Sequence, residues 1–480
     1  MLYVLSDMEP KIPLKYFEEI SAIPRGSYDE KAVSQYLLDF AKAQGLPAKR
    51  DNLYNVLITK PGQHGGESSA PLALQGHTDM VCEKDADSIH DFTRDPLKLT
   101  ISDGWLHAEG TTLGADDGTA VVIMLALLAD KDLAHPPLEC LFTSQEEVGL
   151  CGAAAVDPSW ITARQMINMD CGPEGEVTVG CSGGLRTQLT CVFTPVPIQG
   201  QAYSIKLTGL TGGHSGGLIH RFQANANKLL GRAYAELRKL NVGLVSIRGG
   251  AKDNAIPHEG ELVVSVTSNN TDAFLAAVDS LRTRYQEEYK ETDPNLTLDV
   301  SKTDATTQLD ETSAESVMNL ILFHPNGAKH ISEKLNIVIT SLNLGVIKTE
   351  NSAVIMSAAV RSATPSQKQA LGNKIERLAG LCGAQYSQGN EYPGWPYDEI
   401  SPLRDKAHAV YEGLTGKPLK ENATHGGLEC GLFKDKWPGL DVIAIGCDTT
   451  AIHSPKEALD LGSFARVYEF VRKLITDLAA

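Results

Sequence analysis

The chain has 480 residues, of which 42% are hydrophobic, and a formal net charge of −17. This length exceeds that of one ordinary domain, so two or more domains are expected. The strong negative charge argues against nucleic acid or an anionic membrane as the main partner.

The sequence also predicts a cytoplasmic location. The N-terminal stretch lacks the basic start and the long apolar run of a signal peptide. The longest apolar helix-like run, "TAVVIMLALLA", is about half the length that a membrane span needs. Nine scattered cysteines with no C-x-x-C pair are typical of a reducing compartment.

From residue 1 to about 182, short apolar strands alternate with helices. Helices are predicted at "YFEEISAIP", at "EKAVSQYLLDFAKAQG", which ends at Gly45, and at "DDGTAVVIMLALLAD". Strands are predicted at "NVLITK", "LALQGH", "LECLFTSQ" and "MINMD". This alternation indicates the α/β class with a mainly parallel central sheet.

Residues 183–384 have a different order of predicted strands and helices. From "AYSIKLTGL" to "LTLDVSK" the predicted order is strand, helix, two strands, helix and strand, and a similar order recurs from "SAESVMNLILF" to "AQYSQG". The segment is therefore expected to be an α+β domain made of two similar units. Residues 385–480 return to the first pattern, so 1–182 and 385–480 are predicted to form one α/β domain that the insertion interrupts.

Histidines and acidic residues follow the predicted strands of the first domain or precede its long helix. They are His77, Asp79, Asp116, Asp117, Glu146, Glu147, Asp170 and, after the strand "DVIAIGC", His453. Functional groups of open α/β sheets gather at the carboxyl ends of strands. Two histidines and three carboxylates match the ligand needs of two divalent ions such as zinc, and a further carboxylate remains for proton transfer.

Each of these residues also has an ordinary explanation. An aspartate before a helix is usually an N-cap, Asp170 could make a turn, and paired glutamates are usually solvated. A structural protein with a solvated acidic cleft is therefore an alternative, and only the coincidence of all the strand ends favours a metal site.

The motifs "GHTDM", "GTTLGADDG", "TSQEEVG", "INMDCG", "GGHSGG" and "HSP" together resemble the dinuclear-zinc metallopeptidases that include aminoacylases, glutamate carboxypeptidases and dipeptidases. The stretches "HDFTRDP", "NAIP", "YPGW" and "GLECGLF" are similar to the Xaa-His dipeptidase branch of that family. The resemblance runs from about residue 12 to the C-terminus. It implies a catalytic domain at 1–182 and 385–480, with a lid domain at 183–384.

The resemblance also implies roles for the strand-end residues. His77, Asp116 and Asp170 would hold one zinc ion, and Asp116, Glu147 and His453 would hold the other. Asp79 would orient His77, and Glu146 would act as the general base. Co²⁺ or Mn²⁺ would be able to substitute for Zn²⁺. A cis peptide after Asp116 is also implied.

Within the insertion, the resemblance assigns oxyanion stabilisation to His214 of "TGGHSGG" and substrate contacts to Asn254 of "DNAIP". Arg361, in the apolar strand "SAVIMSAAVRS", would bind the substrate carboxylate. His425 and Gly427 of "HGGLECG" would also line the site, although "GLECG" could merely begin a helix.

The sequence departs from the branch at two positions. Asp117 stands where asparagine is common in relatives, and Lys456 stands where an acid is common. Neither departure removes an implied ligand. Both bear on substrate preference or metal affinity.

The expected function is hydrolysis of dipeptides with a free N-terminus, Xaa-His types included. An N-acyl amino acid amidohydrolase, an aminotripeptidase and a non-catalytic binding protein on the same fold are the alternatives. The expected partners are small dipeptides, with neither nucleic acid nor membrane. A homodimer is compatible with this view, with each active site completed within one chain.

Overall fold

The computed structural model describes residue 5 and residues 8–479. Residues 1–4, 6, 7 and 480 lie outside the described part, and the signal-peptide prediction rests partly on them. Within the described part, no helix is both long and apolar enough to cross a membrane.

The helices, in chain order, are α1 (Lys11–Ser21), α2 (Lys31–Gln44), α3 (Ala115–Ala129), α4 (Cys151–Ala155), α5 (Ser215–Leu218), α6 (Ala226–Leu237), α7 (Thr271–Glu288), α8 (Glu311–Phe323), α9 (Pro365–Leu381), α10 (Pro402–Thr415), α11 (Glu429–Lys436) and α12 (Leu461–Leu478). Gly45 ends α2 with a φ of 69°, as its predicted C-cap role requires.

The strands, in chain order, are β1 (Ala48–Arg50), β2 (Val56–Lys60), β3 (Leu72–His77), β4 (Leu99–Ser102), β5 (Trp105–Ala108), β6 (Leu138–Thr143), β7 (Gln165–Asn168), β8 (Glu176–Cys181), β9 (Gly183–Val192), β10 (Pro195–Pro197), β11 (Gln201–Thr208), β12 (Gly213–His214), β13 (Gly243–Gly249), β14 (Ala255–Ile256), β15 (Gly260–Val266), β16 (Thr297–Thr303), β17 (Thr307–Leu309), β18 (Gly327–Ser332), β19 (Ile337–Glu350), β20 (Ala353–Ser362), β21 (Gln385–Tyr392), β22 (Lys420–Thr424), β23 (Asp441–Ala444), β24 (Thr449–Thr450) and β25 (Ala458–Asp460).

The chain forms two compact units. The first comprises the described residues up to Gly180 together with Tyr397–Ala423 and the residues from Leu428 onward, and the second comprises Cys181–Pro396 and Thr424–Gly427.

The first unit is built on an eight-stranded sheet in the order β1-β2-β6-β3-β7-β23-β8-β22. Its four middle strands, β6, β3, β7 and β23, are parallel, and the flanking strands β2 and β8 pair with them in the antiparallel sense. The mainly parallel α/β sheet expected from the sequence is confirmed at this core. Parallel strands bring their carboxyl ends to one edge, and that edge receives the polar residues after β3, β6 and β7.

Helix α3 holds Asp116 in place at that edge of the sheet. The helix is apolar on nearly all sides, and almost all of its residues are buried, which is typical of a helix enclosed by the core. It packs against β3 and α1 and begins at the residues that precede the buried apolar run. Its first turn therefore holds Asp116 beside the end of β3.

The second unit contains a nine-stranded antiparallel sheet. One half is β16-β11-β15-β13 and the other is β19-β20-β9-β21, and β18 pairs with β19. Along the chain, the main elements of each half follow the order strand, helix, strand, strand, helix, strand. Across the sheet, the four strands of each half lie in the order fourth, first, third, second. The halves join where Gly249 of β13 pairs with Ile347 of β19.

The two halves are nested rather than consecutive. The sequence pattern predicted that the second half begins at helix α8. In the structure the first strand of the second half is β9, which precedes the whole of the first half. Strand β9 pairs with both β20 and β21, which lie more than 150 residues further along the chain. Periodicity along the sequence does not contain such a long-range pairing.

The predicted boundary at residue 384 also differs from the structure. Strand β21 lies beyond that boundary, yet it pairs with β9 in the second unit, so the unit extends to Pro396. Thr424–Gly427 joins the same unit because the N–H of Ser182 donates to the carbonyl oxygens of Thr424 and Gly426.

Candidate metal centre and substrate-binding residues

The first group of candidate ligands is His77, Asp116 and Asp170, which come from the end of β3, the start of α3 and the end of β7. The Nε2 atom of His77 lies 3.0 Å from Oδ1 of Asp116 and 3.9 Å from Oδ1 of Asp170. The side chain of His77 is buried, and the two carboxylates are largely buried. These three residues, predicted as one ligand set, lie together in the structure.

The second group is Asp116, Glu147 and His453. The Nε2 atom of His453 lies 2.9 Å from Oε1 of Glu147 and 3.3 Å from Oδ2 of Asp116. Asp116 thus turns one oxygen toward each histidine. Each group offers three ligand atoms that all lie within 4.8 Å of one another.

Asp79 contacts both His77 and the backbone of Glu146 and Glu147. The N–H groups of Glu146 and Glu147 donate to its two carboxylate oxygens at 3.0 and 3.3 Å, and Ser27 Oγ donates to it at 2.8 Å. Nδ1 of His77 lies 3.0 Å from the carbonyl oxygen of Asp79 and 3.5 Å from its Oδ1. With the proton of His77 on Nδ1, its Nε2 lone pair faces Asp116 and Asp170.

The donor set suits divalent cations. Imidazole lone pairs and carboxylates that face one another at 2.9–3.9 Å repel unless a proton or a cation lies among them. Nitrogen and oxygen ligands in this number and mixture are those that zinc takes in proteins. The residues present therefore fit two metal ions that share Asp116.

The protonation tendencies of the metal-free cluster agree with this fit. Burial raises the pKa of Asp170 well above its ordinary value, and the charge of Asp116 raises it further. Hydrogen bonds to Asp116 and Glu147 raise the pKa of His453 to about 10. Without metal, Asp170 and His453 therefore hold protons firmly. Divalent cations would compete with these protons for the same ligand atoms.

Glu146 and Glu147 differ in their contacts. Both lie within reach of His77, but Glu147 contacts His453. Burial raises the pKa of Glu146 to about 8, with the charges of Glu429 and Glu147 adding to the effect. A carboxylate with a high proton affinity beside a metal centre is suited to accept a proton from water.

In the second unit, His214 and Asn254 are held in one small ladder. His214 of β12 pairs with Ala255 of β14, and the N–H of Ser215 donates to the carbonyl oxygen of Asn254 at 2.8 Å. Nδ1 of His214 accepts from the N–H of Gly217 at 3.3 Å. The proton of the neutral ring therefore lies on Nε2, which makes the ring a hydrogen-bond donor.

Arg361 is buried in the same unit, at the end of β20. Its Nη1 lies 3.4 Å from both the hydroxyl of Tyr392 and the carbonyl oxygen of His425, and its Nε is buried with no hydrogen-bond partner among the described residues. Buried guanidinium nitrogens rarely remain unpaired. Arg361 is therefore suited to bind an anion.

His425 and Gly427 surround this arginine in a way the motif did not specify. Both ring nitrogens of His425 are engaged, with Ser182 Oγ at 2.7 Å and Ser341 Oγ at 2.6 Å. Its backbone carbonyl, rather than its ring, faces Arg361. A side chain at Gly427 would collide with the Tyr392 ring, because a Cβ there would lie 2.7 Å from it.

The sequence interpretation missed Glu457, which holds the turn before α3. Its two carboxylate oxygens accept four consecutive N–H groups at 2.8–3.3 Å, those of Leu113, Gly114, Ala115 and Asp116. Glu457 is buried and lies four residues after His453. Its position beside the departure at Lys456 was the only signal, and nothing in the sequence connects it with residues more than 300 positions earlier.

Arg25 and Glu429 were also missed. The guanidinium of Arg25 is buried and donates to the carbonyl oxygens of Thr78 and Gly114, so it links the loop after β3 to the turn before α3. Glu429 is buried and accepts from Gln75 Nε2 at 2.6 Å and Thr143 Oγ1 at 2.8 Å, on β3 and β6. Both act on the strands and turns that carry the candidate ligands.

The structure accommodates Asp117 and Lys456, the two residues that differ from those common in relatives. Oδ2 of Asp117 accepts the N–H of His77 at 3.1 Å, a contact that an asparagine oxygen would also make. Lys456 is exposed. The implied cis peptide between Asp116 and Asp117 is present.

A histidine and carboxylate cluster at the carboxyl edge of a parallel sheet, with a general-base candidate beside it, defines a metallohydrolase. The model of peptidase family M20/M25/M40 matches residues 73–477. The chain therefore belongs to this family, and it is a metallopeptidase. The family resemblance inferred from the motifs is confirmed.

The similarity to known proteins covers nearly the whole chain. The chain is 36% identical over 481 residues to the cytosol non-specific dipeptidase of Escherichia coli K12, with 99% of each chain covered. It is 34% identical to an aminoacylhistidine dipeptidase from Vibrio alginolyticus of known structure, with a TM-score of 0.93 over 98% of each chain. Aminopeptidase PepT from Bacillus cereus ATCC 10987 shares only the fold, at 16% identity and a TM-score of 0.58 over 98% of this chain and 99% of that chain.

Proposed function

We propose that this protein is a dipeptidase that hydrolyses dipeptides with a free N-terminus, Xaa-His types included, at a centre that holds two Zn²⁺ ions. The observation that carries the proposal is that Asp116 turns one carboxylate oxygen toward each of two histidines. The names of the full-length relatives support the dipeptide substrate class. The name of the Escherichia coli relative also supports a cytoplasmic location.

In this proposal His77, Asp116 and Asp170 hold one ion, and Asp116, Glu147 and His453 hold the other. Co²⁺ or Mn²⁺ would substitute for Zn²⁺. Bound divalent ions would supply an acidified water molecule and polarise the scissile carbonyl group.

Glu146 is the proposed general base. It accepts a proton from the attacking water and later delivers that proton to the leaving amine. Asp79 fixes the backbone N–H groups of Glu146 and Glu147, so it orients the base as well as His77. The half-buried position of Glu146 supports this role, because partial burial raises its pKa and strengthens its hold on a proton.

His214 is the proposed donor to the oxyanion that forms when water attacks. Burial lowers the pKa of His214, and the charges of Arg361 and Arg186 lower it further. A neutral ring with its proton on Nε2 can donate a hydrogen bond to a developing negative charge. The hydrogen bond from Gly217 to Nδ1 fixes that tautomer.

Arg361 is the proposed partner of the substrate's C-terminal carboxylate, and Asn254 contacts the substrate nearby. A guanidinium with an unpaired buried nitrogen gains most from a carboxylate ligand. His425 and Gly427 belong to the same subsite in a supporting role. The His425 carbonyl orients Arg361, and Gly427 leaves room for Tyr392, which contacts it.

The proposed partners are small dipeptides. His214 and Arg361 lie in the two different halves of the second unit, so one chain can supply both. We propose that each chain completes its own active site, in a monomer or a homodimer.

A substrate panel tests the proposal against its rivals. The zinc-loaded protein should cleave dipeptides such as Ala-His and Gly-His much faster than tripeptides and N-acetylated amino acids. Preference for N-acetylated amino acids would indicate an amidohydrolase, and preference for tripeptides an aminotripeptidase. Metal binding without turnover of any of these substrates would indicate a binding protein.

A further inference from the structure

Two arginines lie next to each other on one face of the second sheet. In the antiparallel pair β9 and β20, Arg361 is opposite Gly184 and Arg186 is opposite Ala359. Alternate residues of a strand share a face, so Arg186 and Arg361 are diagonal neighbours on the same side. Burial lowers the pKa of Arg361, and the nearby charge of Arg186 contributes to this lowering. The fold thus holds two like charges close together.

Among the described residues, the carboxylate of Asp253 accompanies these two guanidinium groups. Nε of Arg186 lies 2.9 Å from Oδ2 of Asp253, and both side chains are partly exposed, at 26% and 31%. Nη1 of Arg186 and Nε of Arg361 are buried without a hydrogen-bond partner in the described part of the chain. With His214 neutral, the three charged side chains sum to +1.

We propose that the Arg186–Asp253 pair makes the C-terminal subsite selective for one negative charge, so that dipeptides with aspartate or glutamate as the C-terminal residue are poor substrates. This inference rests on the proposed function, in which Arg361 binds the C-terminal carboxylate. That carboxylate balances the net charge of +1. A second carboxylate finds the net charge already balanced and the carboxylate of Asp253 beside Arg186, so its loss of hydration is not compensated.

A purely structural role for the pair is the competing explanation, since Asp253 precedes Asn254. The backbone of that segment is already fixed by other groups. Asn343 Nδ2 donates to the carbonyl oxygens of Asp253 and Ala255 at 2.8 and 2.7 Å. These bonds hold the backbone independently of the Arg186–Asp253 ion pair, which favours a role of the pair in charge selection.

The test uses two substrates of nearly equal shape, Ala-Gln and Ala-Glu, and compares their kcat/KM values. The wild-type protein should prefer Ala-Gln. Asp253→Asn leaves Arg186 unpaired, so the preference should fall about tenfold, as expected for one charge at a partly exposed site. Arg186→Gln leaves Asp253 alone and should increase the preference by a similar factor. Arg248→Gln, which breaks the Arg248–Glu261 ion pair of the same unit, is the matched control and should leave the preference unchanged.

The outcomes separate this inference from the proposed function. Equal losses on both substrates in Asp253→Asn and Arg186→Gln, with an unchanged ratio, would show that the pair is only structural and overturn the inference. A wild-type ratio near one would overturn it without any variant, and a true charge preference should shrink as salt is added to the wild-type protein. Failure of the wild-type protein to cleave either dipeptide would instead refute the proposed function.

Discussion

His77 and Asp116 are 39 residues apart in the chain, yet Nε2 of His77 lies 3.0 Å from Oδ1 of Asp116. The contact joins the carboxyl end of β3 to the start of α3, two elements that pack against each other in the core. The N–H of His77 also donates to the neighbouring Asp117. The candidate metal centre therefore depends on the packing of the α/β core.

Glu146→Ala should lower kcat by about 10²–10⁴-fold while leaving the bound metal unchanged, because the proposed general base is not a ligand. Glu147→Ala is the matched comparison and should lose metal, since Glu147 contacts His453. Metal analysis of both purified variants, alongside dipeptide kinetics, checks the assignment. Loss of metal from Glu146→Ala with retention in Glu147→Ala would mean that the two roles are exchanged.

Arg361→Met should raise KM steeply for free dipeptides and much less for the same dipeptides with an amidated C-terminus. The reason is that its guanidinium pairs with the substrate carboxylate in the proposed function, whereas an amide offers no charge to that group. Kinetics on the two substrate series check this expectation. Equal losses on both series would remove Arg361 from the carboxylate subsite.

Glu457→Gln should destabilise the protein and weaken metal binding, although Glu457 is not a proposed ligand. One of the two acceptor oxygens becomes an NH₂ group that faces backbone N–H groups, and each buried donor left unpaired costs about 1–3 kcal/mol. Chemical denaturation and metal titration measure the two effects. Lys456→Gln, a change at the exposed neighbour, is the control. Wild-type behaviour in both variants would show that the Glu457 contacts do not matter for the centre.

Mixing His214→Ala and Glu146→Ala proteins under conditions that exchange subunits should leave activity at the low level of the separate variants. In the single-chain proposal, every chain in the mixture lacks one required group. If a partner supplied His214 instead, half of the sites in a mixed dimer would contain both groups. Substantial recovery of activity would therefore contradict completion of the site within one chain.

The sequence was informative about groups that lie at strand ends and uninformative about groups that reach them from elsewhere. His77, Asp116, Glu147, Asp170 and His453 could be predicted to meet because parallel strands end at one edge. Residues that act through long-range contacts carry no local signal of the partners they reach. Glu457 meets a turn more than 300 residues earlier, and Glu429 meets β3 and β6 from α11.

The same reason explains the errors in domain organisation. Alternating strands and helices showed that the second unit contains two similar halves, but not that one half is inserted into the other. Strand β9 has its partners far along the chain, and β21 follows the predicted boundary although it completes the same sheet. Pairing register, unlike periodicity, is a property of the folded chain.

A zinc titration of the metal-free protein during hydrolysis of a dipeptide such as Ala-His tests the bridged dinuclear centre most directly. We expect no activity without metal and a maximum at two equivalents of Zn²⁺ in the wild-type protein. In Asp116→Ala we expect neither tight zinc binding nor activity, because one carboxylate serves both ions. Full wild-type activity at one equivalent, or one tightly bound zinc ion retained in Asp116→Ala, would contradict a dinuclear centre bridged by Asp116.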